Sequence, residues 1–230
     1  MYRRKKGRSK KVYLAILLLV VIVVATAAIV YTTQFAAKKV EVGVHVGDVF
    51  MYSLKGTSAL GLDATDDPGF DQYNATDYFK VTVSNVIGTT VTLNSVWRFL
   101  NGTEITSIQL IDLANGNKTD KYGFWALYPA NLNVGDLLRP TGFDSQIVNK
   151  TETKSYADSV RYENFWSIEG EFQYALDPTQ STFMYDIRNI YFDKETGILT
   201  SLVDYQQFNN PQKVQVITWT LTNSSLWNVK

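Results

Sequence analysis

Residues 183–208, FMYDIRNIYFDKETGILTSLVDYQQF, predict a β-hairpin with two long strands. Both strands contain many aromatic and β-branched residues, which suit the pleated surface of a sheet. The turn between them is Asp193-Lys-Glu-Thr-Gly197, in which Gly197 can adopt the left-handed backbone conformation that closes such a loop. The same succession of strands and turns continues on both sides of this hairpin, which indicates an all-β domain.

Strand-like segments follow one another through most of the chain, and turns such as Gly88-Thr89 and Asn101-Gly102 separate them. They predict an antiparallel sandwich or an open or half barrel of about eleven strands. One or two short helices would still fit within residues 105–132. The predicted strands cover residues 44–54 in two pieces, 79–86, 90–100, 104–113, 146–153, 155–166, 171–176, 183–192, 198–208 and 212–222, with an aromatic run at 122–128 and a further apolar piece at 133–138 between them.

A short sequence repeat links two parts of this β region. His45-Val-Gly-Asp-Val-Phe and Asn133-Val-Gly-Asp-Leu-Leu share V-G-D followed by two apolar residues. The repeat either marks two similar sub-domains or reflects the frequent use of Gly-Asp in turns between strands. We favour the turn interpretation because the shared motif is so short.

An uncharged stretch of twenty residues, Val12–Tyr31, precedes the β region and predicts a transmembrane helix. At about 1.5 Å per residue such a helix spans about 30 Å, the thickness of the hydrocarbon core of a bilayer. Residues 1–11 contain seven basic residues and no acid, so the positive-inside rule places them in the cytosol. We therefore predict a cytosolic tail (1–11), a signal anchor (12–31), a linker (32–42) and one extracellular all-β domain (43–230).

Two alternatives for this amino-terminal region stay open. A secretory signal peptide also has a basic start and an apolar core, and Ala25-Thr26-Ala27 fits a cleavage site after Ala27. Cleavage there would release a secreted domain. Lys5-Lys6-Gly7 resembles the processing site of archaeal type IV prepilins, although three basic residues separate it from the apolar stretch.

Charge and cysteine content narrow the class of protein. Seven of the 22 basic residues lie before residue 12, so the remaining chain has 15 basic and 22 acidic residues, a formal charge of −7. An acidic exported domain is a poor ligand for polyanions, so nucleic acid is not an expected partner. The chain has no cysteine, which excludes disulfides and thiol catalysis and favours an archaeal or bacterial surface.

Five N-x-[ST] sequons occur in predicted loops or at strand ends. Some would arise by chance in a chain rich in Asn, Ser and Thr. In an exported protein they are candidate glycosylation sites and therefore candidate exposed positions. The five asparagines are Asn74, Asn101, Asn117, Asn149 and Asn223.

Three short motifs, taken in order, resemble those of other proteins. They are V-G-D-x-F-x-Y at 46–52, P-A-N-L-x-V-G-D at 129–136 and Y-F-D-K-E-T-G-I-L at 191–199. Behind a membrane anchor, this order resembles uncharacterised archaeal membrane-anchored surface proteins with an all-β ectodomain. The last motif is also similar to hairpins of bacterial lipoprotein-carrier half-barrels. Neither resemblance implies catalytic residues.

The sequence predicts no enzyme. His45 is the only histidine, and without cysteine or a second histidine the usual zinc and Cys–His sites cannot form. There is no G-x-S-x-G or phosphate-binding glycine loop. Two carboxylates can hydrolyse glycosides, and Glu169 and Glu171 would point the same way on one strand, but an acidic domain offers many such pairs.

The acidic segment 56–78 predicts a long loop and is the candidate metal site. Calcium requires six to eight oxygen ligands. Four carboxylates could supply several of them, although the spacing does not match an EF-hand. A solvated loop that binds no cofactor is the alternative. The four residues are Asp63, Asp66, Asp67 and Asp71.

Aromatic residues are the candidate ligand-binding groups. Trp97, Trp125 and Trp166 could form a stacking platform for sugars or line a pocket for an apolar ligand. The alternative is that they fill the core, since aromatic side chains favour strands.

We therefore expect a non-catalytic protein of the cell membrane that exposes an acidic, N-glycosylated β domain for envelope structure or partner binding. Residues 12–31 would contact the lipid bilayer, and surface proteins or glycans would be its partners. One alternative is a carrier or sensor that holds a lipid or small apolar ligand in an open barrel. The other is a carbohydrate-binding or glycoside-active protein.

Overall fold

The computed structural model describes two compact units, Met1–Lys39 and Val40–Lys230. In the first unit residues 16–26 form helix α1. No helix within the described residues is long and apolar enough to cross a membrane. The tail 1–11 and residues 12–15 and 27–31 of the predicted anchor lie outside the described residues, which are 16–26, 39–61, 65, 68–119, 126–173 and 182–230.

The second unit confirms the all-β prediction, because it contains one antiparallel sheet of nine strands. The strands are β1 (Val49–Leu60), β2 (Thr76–Ile87), β3 (Thr90–Phe99), β4 (Glu104–Asp112), β5 (Lys150–Ser155), β6 (Val160–Gln173), β7 (Phe183–Asp193), β8 (Leu199–Asn209) and β9 (Gln212–Ser224). Their order in the sheet is β4-β3-β2-β1-β9-β8-β7-β6-β5. Two meanders, β1–β4 and β5–β9, therefore meet where β1 pairs with β9.

The prediction of about eleven strands is wrong for the described residues, which form nine. Gly170 lies inside β6 and does not separate two strands as predicted. Residues 126–148 form only isolated bridges, such as Leu127 with Ile198, and not a continuous ladder. All nine strands belong to one sheet, so a two-sheet sandwich does not describe them. The predicted acidic loop contains a short helix, α2 (Pro68–Asn74).

Alternation along the strands gives the sheet an apolar inner face, defined here as the face that carries Phe50, Tyr52 and Leu54. These three side chains are fully buried. Leu54 is paired across the sheet with Trp219 of β9, which is also buried. Burial of each large apolar side chain stabilises the fold by about 1.5–3 kcal/mol.

One end of the inner face is covered by residues 126–148. The ring of Tyr128 stacks on Phe192 with centroids 4.4 Å apart, and meets Trp166 edge-on at 6.2 Å. The Asn164 amide donates a 2.9 Å hydrogen bond to the carbonyl oxygen of Leu132. The predicted linker also contributes, since the compact unit begins at Val40. This end of the sheet is therefore filled by packed side chains.

Helix α2 packs against β1 in the middle of the sheet. The ring of Phe70 lies over Gly56, where an added Cβ would fall 2.3 Å from its Cδ1 atom. Tyr73 lies 5.8 Å from Trp97 and 6.3 Å from Trp219, measured between ring centroids. Glycine at position 56 is thus required for the close approach of the helix.

The two V-G-D segments form the same type of turn. His45 N donates to Asp48 Oδ2 at 2.8 Å, and Asn133 N donates to Asp136 Oδ2 at 2.7 Å. The central glycines have φ of +101° and +87°. Each turn is also anchored by two backbone hydrogen bonds to one buried valine, Val83 or Val148. The sequence repeat is a repeated turn within one compact unit.

Candidate functional site

Beyond α2 the inner face changes from apolar to polar. Residues paired across two antiparallel strands lie on the same face of the sheet. The register therefore defines two neighbouring rows of inward-facing residues across β6, β7, β8, β9 and β1. The first row is Gly170, Asp186, Gln206, Gln215 and Ser58, and the second is Ile168, Arg188, Asp204, Ile217 and Gly56. We call six of these side chains the inner polar cluster: Ser58, Asp186, Arg188, Asp204, Gln206 and Gln215.

The strands place these polar groups inward because they continue the alternation of the core. On β7, Asp186 and Arg188 follow the same two-residue period as the buried Ile190. Asp186 is 1% exposed, Gln215 2% and Asp204 9%. Aspartate is rarely buried to this extent unless it is paired.

Arg188 holds the two carboxylates of the cluster together. Its Nη2 atom donates a 2.6 Å hydrogen bond to Asp186 Oδ2, and its Nε atom lies 3.4 Å from Asp204 Oδ2. Gln206 donates from Nε2 to the same Asp204 oxygen at 3.0 Å. One oxygen of each carboxylate is thereby engaged.

Several other polar atoms of the cluster have no hydrogen-bond partner. The five buried atoms concerned are Asp186 Oδ1, Arg188 Nε, Asp204 Oδ1, Gln215 Nε2 and Ser58 Oγ. They come from four adjacent strands. Leaving a buried polar group unsatisfied costs about 1–3 kcal/mol, and more for a charged one. A ligand that pairs with these atoms would recover part of that cost.

Asp204 has an altered protonation equilibrium. Burial is the main cause that raises the pKa of its carboxyl to about 7; the Arg188 guanidinium opposes the shift and the Asp186 carboxylate adds to it. An Asp in the unfolded chain has a pKa of about 4. The free energy of unfolding without ligand should therefore fall as the pH rises from about 4 through 7, where the folded chain must ionise this buried group.

Three open grooves on the surface are the alternative candidate sites. One, of about 650 Å³, is lined by Glu171, Tyr185 and Lys213 among others. The second, of about 820 Å³, includes Tyr162 and Glu195. The third, of about 520 Å³, includes Trp227, whose buried Nε1 atom has no hydrogen-bond partner. The described lining residues of the first two grooves have no such atom, whereas the inner polar cluster has five. The inner polar cluster is therefore the better candidate site.

The structure describes only one of the four predicted calcium ligands. Asp63, Asp66 and Asp67 lie outside the described residues, and Asp71 is exposed in the first turn of α2. Within the part of the chain that the structure describes, no three acidic or histidine side chains are grouped to hold a metal ion. Calcium binding stays a prediction.

The predicted aromatic ligand groups lie in the packed interior where the structure describes them. Trp166 is buried beside Tyr128, and Trp97 is half-buried and donates from Nε1 to Thr76 Oγ1 at 2.8 Å. Trp125 lies outside the described residues. Trp97 and Trp166 thus contribute to packing, and their role in binding stays a prediction.

All five sequon asparagines are exposed, but their contacts differ. Asn101 lies in the turn between β3 and β4, where its Oδ1 accepts from Thr103 N at 2.9 Å. Asn74 uses both side-chain amide atoms on Gly56: Oδ1 accepts from the backbone N at 3.1 Å and Nδ2 donates to the carbonyl oxygen at 2.8 Å. Asn117, Asn149 and Asn223 were the remaining predicted sites.

The inner polar cluster was not predicted from the sequence, although a signal for it exists. Once Ile190 and Leu202 are assigned to the core, the two-residue period also turns Asp186 and Asp204 inward. Charged residues at core-facing strand positions indicate either a buried ion pair or a binding site.

Comparison with known proteins adds no family assignment, since no protein-family model and no curated sequence matches the chain.

Proposed function

We propose that the chain is a non-catalytic, single-pass cell-surface protein whose extracellular β domain binds a small polar ligand at the inner polar cluster. The observation that carries this proposal is the set of five buried polar atoms without a hydrogen-bond partner on four adjacent strands. Folded proteins rarely leave such atoms unpaired, and they do so mainly where a ligand or water completes the bonding.

The sheet suits this role as an open half barrel. Its core lies on the inner face and draws on strands from β1 to β9, with one end covered by residues 126–148. A polar ligand fits this half barrel better than the lipid or apolar ligand of the alternative. The aromatic rings are packed against one another, and the space beside Ile111, Tyr128 and Leu138 has a volume of about 20 Å³. That space is enough for about one water molecule and too small for a lipid chain.

The surface location rests on the amino-terminal sequence. The basic residues 1–11 and the apolar residues 12–31 support a signal anchor in the lipid bilayer, with the tail in the cytosol. The absence of cysteine and the exposed sequons support an archaeal-type envelope as the setting. Binding of surface proteins or glycans, or a structural part in the envelope, would be compatible with the same tethered domain.

Apolar replacement of the cluster is expected to stabilise the fold. In the triple variant Asp186→Leu, Arg188→Met, Asp204→Leu, we expect the free energy of unfolding to rise by about 1–4 kcal/mol, because apolar residues of similar volume often outperform a buried ion pair. Functional sites are commonly kept at such a cost in stability. Denaturant unfolding of the purified full chain in detergent measures this change.

The matched control is a second buried pair with a structural role. The double variant Arg161→Met, Asp193→Leu removes a buried pair whose carboxylate also binds backbone, and we expect it to lose stability. If the cluster variant is destabilised by a similar amount, the cluster is structural and the proposed binding function is wrong.

Export predicts a specific pattern of glycosylation. We expect a glycan on Asn101 and none on Asn74, because the Asn74 amide is engaged with Gly56 on both sides. In native membranes Asn101→Gln should remove one glycan mass by intact mass spectrometry. Asn74→Gln should leave the mass of attached glycan unchanged and lower stability by about 1–2 kcal/mol through two lost hydrogen bonds. A glycan on Asn74, or an unmodified Asn101 in the membrane fraction, would contradict this prediction.

A further inference from the structure

The charges of the inner polar cluster balance while Asp204 is protonated and hydrogen-bonded to Asp186, and they do not balance once Asp204 ionises. Asp186 and Asp204 bring two carboxyl groups and Arg188 brings one guanidinium, so the cluster carries one net negative charge when both acids are ionised. Their neighbours in the two rows, on β6, β9 and β1, are uncharged. Lys213 lies in the next row of this face, with its Nζ atom 4.6 Å from the ring centroid of Phe208.

Of the unpaired atoms, Arg188 Nε is a donor that already lies 3.4 Å from Asp204 Oδ2, and two others are carboxylate oxygens that a ligand can reach only with a donor. Asp186 Oδ1 and Asp204 Oδ1 can only accept from a ligand when ionised. The Ser58 hydroxyl can donate or accept, and the Gln215 amide presents either its oxygen or its nitrogen after a rotation of 180°. The complementary ligand group is therefore compact, positively charged and equipped with at least two N–H donors.

A primary ammonium group meets all three requirements, because it has one positive charge and three donors on a single nitrogen. A hydroxyl ligand would supply donors but leave the charge uncompensated. A quaternary ammonium would compensate the charge but leave both carboxylate oxygens unpaired. A guanidinium would add a second planar group beside Arg188, which already occupies the other oxygens of both acids.

We propose that the inner polar cluster binds the primary ammonium group of a small amine between the free oxygens of Asp186 and Asp204. This assignment rests on the proposed ligand-binding function and specifies its ligand class. The amine nitrogen takes the position between the two carboxylates, and Ser58 and Gln215 contact the adjoining part of the ligand. Arg188 stays in place and orients both acids.

Binding of the amine should be coupled to release of a proton. Near or below neutral pH Asp204 is partly protonated, and the ammonium group displaces that proton. The affinity should then fall about tenfold for each pH unit below 7, and approach a constant value at higher pH while the amine stays charged. A neutral ligand would not show this dependence.

The test is isothermal titration calorimetry of the full chain in detergent with three probes: n-butylammonium, n-butanol and tetramethylammonium. We expect binding of n-butylammonium alone, with a proton released below pH 7, measured from the heat in buffers of different ionisation enthalpy. Asp186→Asn and Asp204→Asn should each weaken binding at least tenfold. Asp77→Asn is the matched control, since it makes the same change at an exposed carboxylate paired with Arg98, and should bind as the unmodified chain does.

The outcomes separate this inference from the proposed function. If n-butanol binds and the amine does not, or if the amine binds equally after both Asp→Asn changes, the ammonium assignment is overturned. If no probe binds while the apolar triple variant is more stable, the ammonium assignment is likewise overturned and the binding site remains. If no probe binds and the triple variant is destabilised, both proposals fall.

Discussion

Replacing Asp193 with alanine is expected to lower the free energy of unfolding by about 3–5 kcal/mol, the cost of breaking a buried ion pair. The carboxylate is 1% exposed and accepts four hydrogen bonds. Two come from Arg161, at 2.6 and 2.9 Å, and two from the backbone and hydroxyl of Thr196, both at 2.8 Å. The substitution would leave the largely buried guanidinium of Arg161 with fewer hydrogen-bond partners. It would also remove the hydrogen bonds that close the β7–β8 turn.

Glu195 provides the matched control for Asp193. It bonds the same Nη2 atom of Arg161 at 2.9 Å, but its side chain is 70% exposed. Exposed pairs contribute about 0–1 kcal/mol, so Glu195→Ala should change stability by no more than that. Denaturant unfolding of both variants measures the difference. Equal losses would mean that burial does not determine the contribution of this pair.

Gly197→Ala is expected to be at least as damaging, with a loss of more than about 3 kcal/mol or no folded protein. Gly197 has φ of +74°, and an added Cβ would lie 1.9 Å from the carbonyl oxygen of Tyr128. A left-handed conformation alone costs an alanine about 1–2 kcal/mol. The clash is with backbone, so segment 126–130 would have to move away from the hairpin. The Tyr128 amide, which donates to the Gly197 carbonyl at 2.8 Å, would move with it.

Gly88→Ala separates backbone strain from this close approach. Gly88 also has positive φ, +60°, but no atom lies within 4 Å of its added Cβ. We expect it to lose about 1 kcal/mol, from conformation alone. Thermal unfolding followed by circular dichroism compares the two variants. Similar shifts in Tm would contradict the role assigned to the contact with Tyr128.

The local elements of the fold were largely predictable. The hairpin around Asp193-Lys-Glu-Thr-Gly197 and the turns at Gly88 and Gly102 are where the sequence places them, with all three glycines at positive φ. Such turns depend on backbone conformations that few residues other than glycine adopt, so they are visible in a single sequence. Helix α2 was missed because its seven residues are too short to show a helical period.

Other features depend on contacts between distant residues and could not be predicted in the same way. Residues 126–128 have a strand-like composition, but Tyr128 is held by stacking on Phe192 and by the carbonyl of Gly197. The inner polar cluster needs the register of β7, β8 and β9 before Asp186, Asp204 and Gln215 are known to lie in neighbouring rows. Strand alternation predicts the face of each residue, whereas only the three-dimensional pairing predicts its neighbours.

The pairing of β1 with β9 has a consequence for how the chain is made. Tyr52 pairs with Leu221, so the centre of the sheet joins residues from opposite ends of the β unit. During synthesis the meander β1–β4 emerges long before β9, and one edge of β1 has no partner strand until then. Contacts this distant in sequence form slowly, and open edges can pair with other chains. Chaperones would therefore matter most in the interval before the last strand is synthesised.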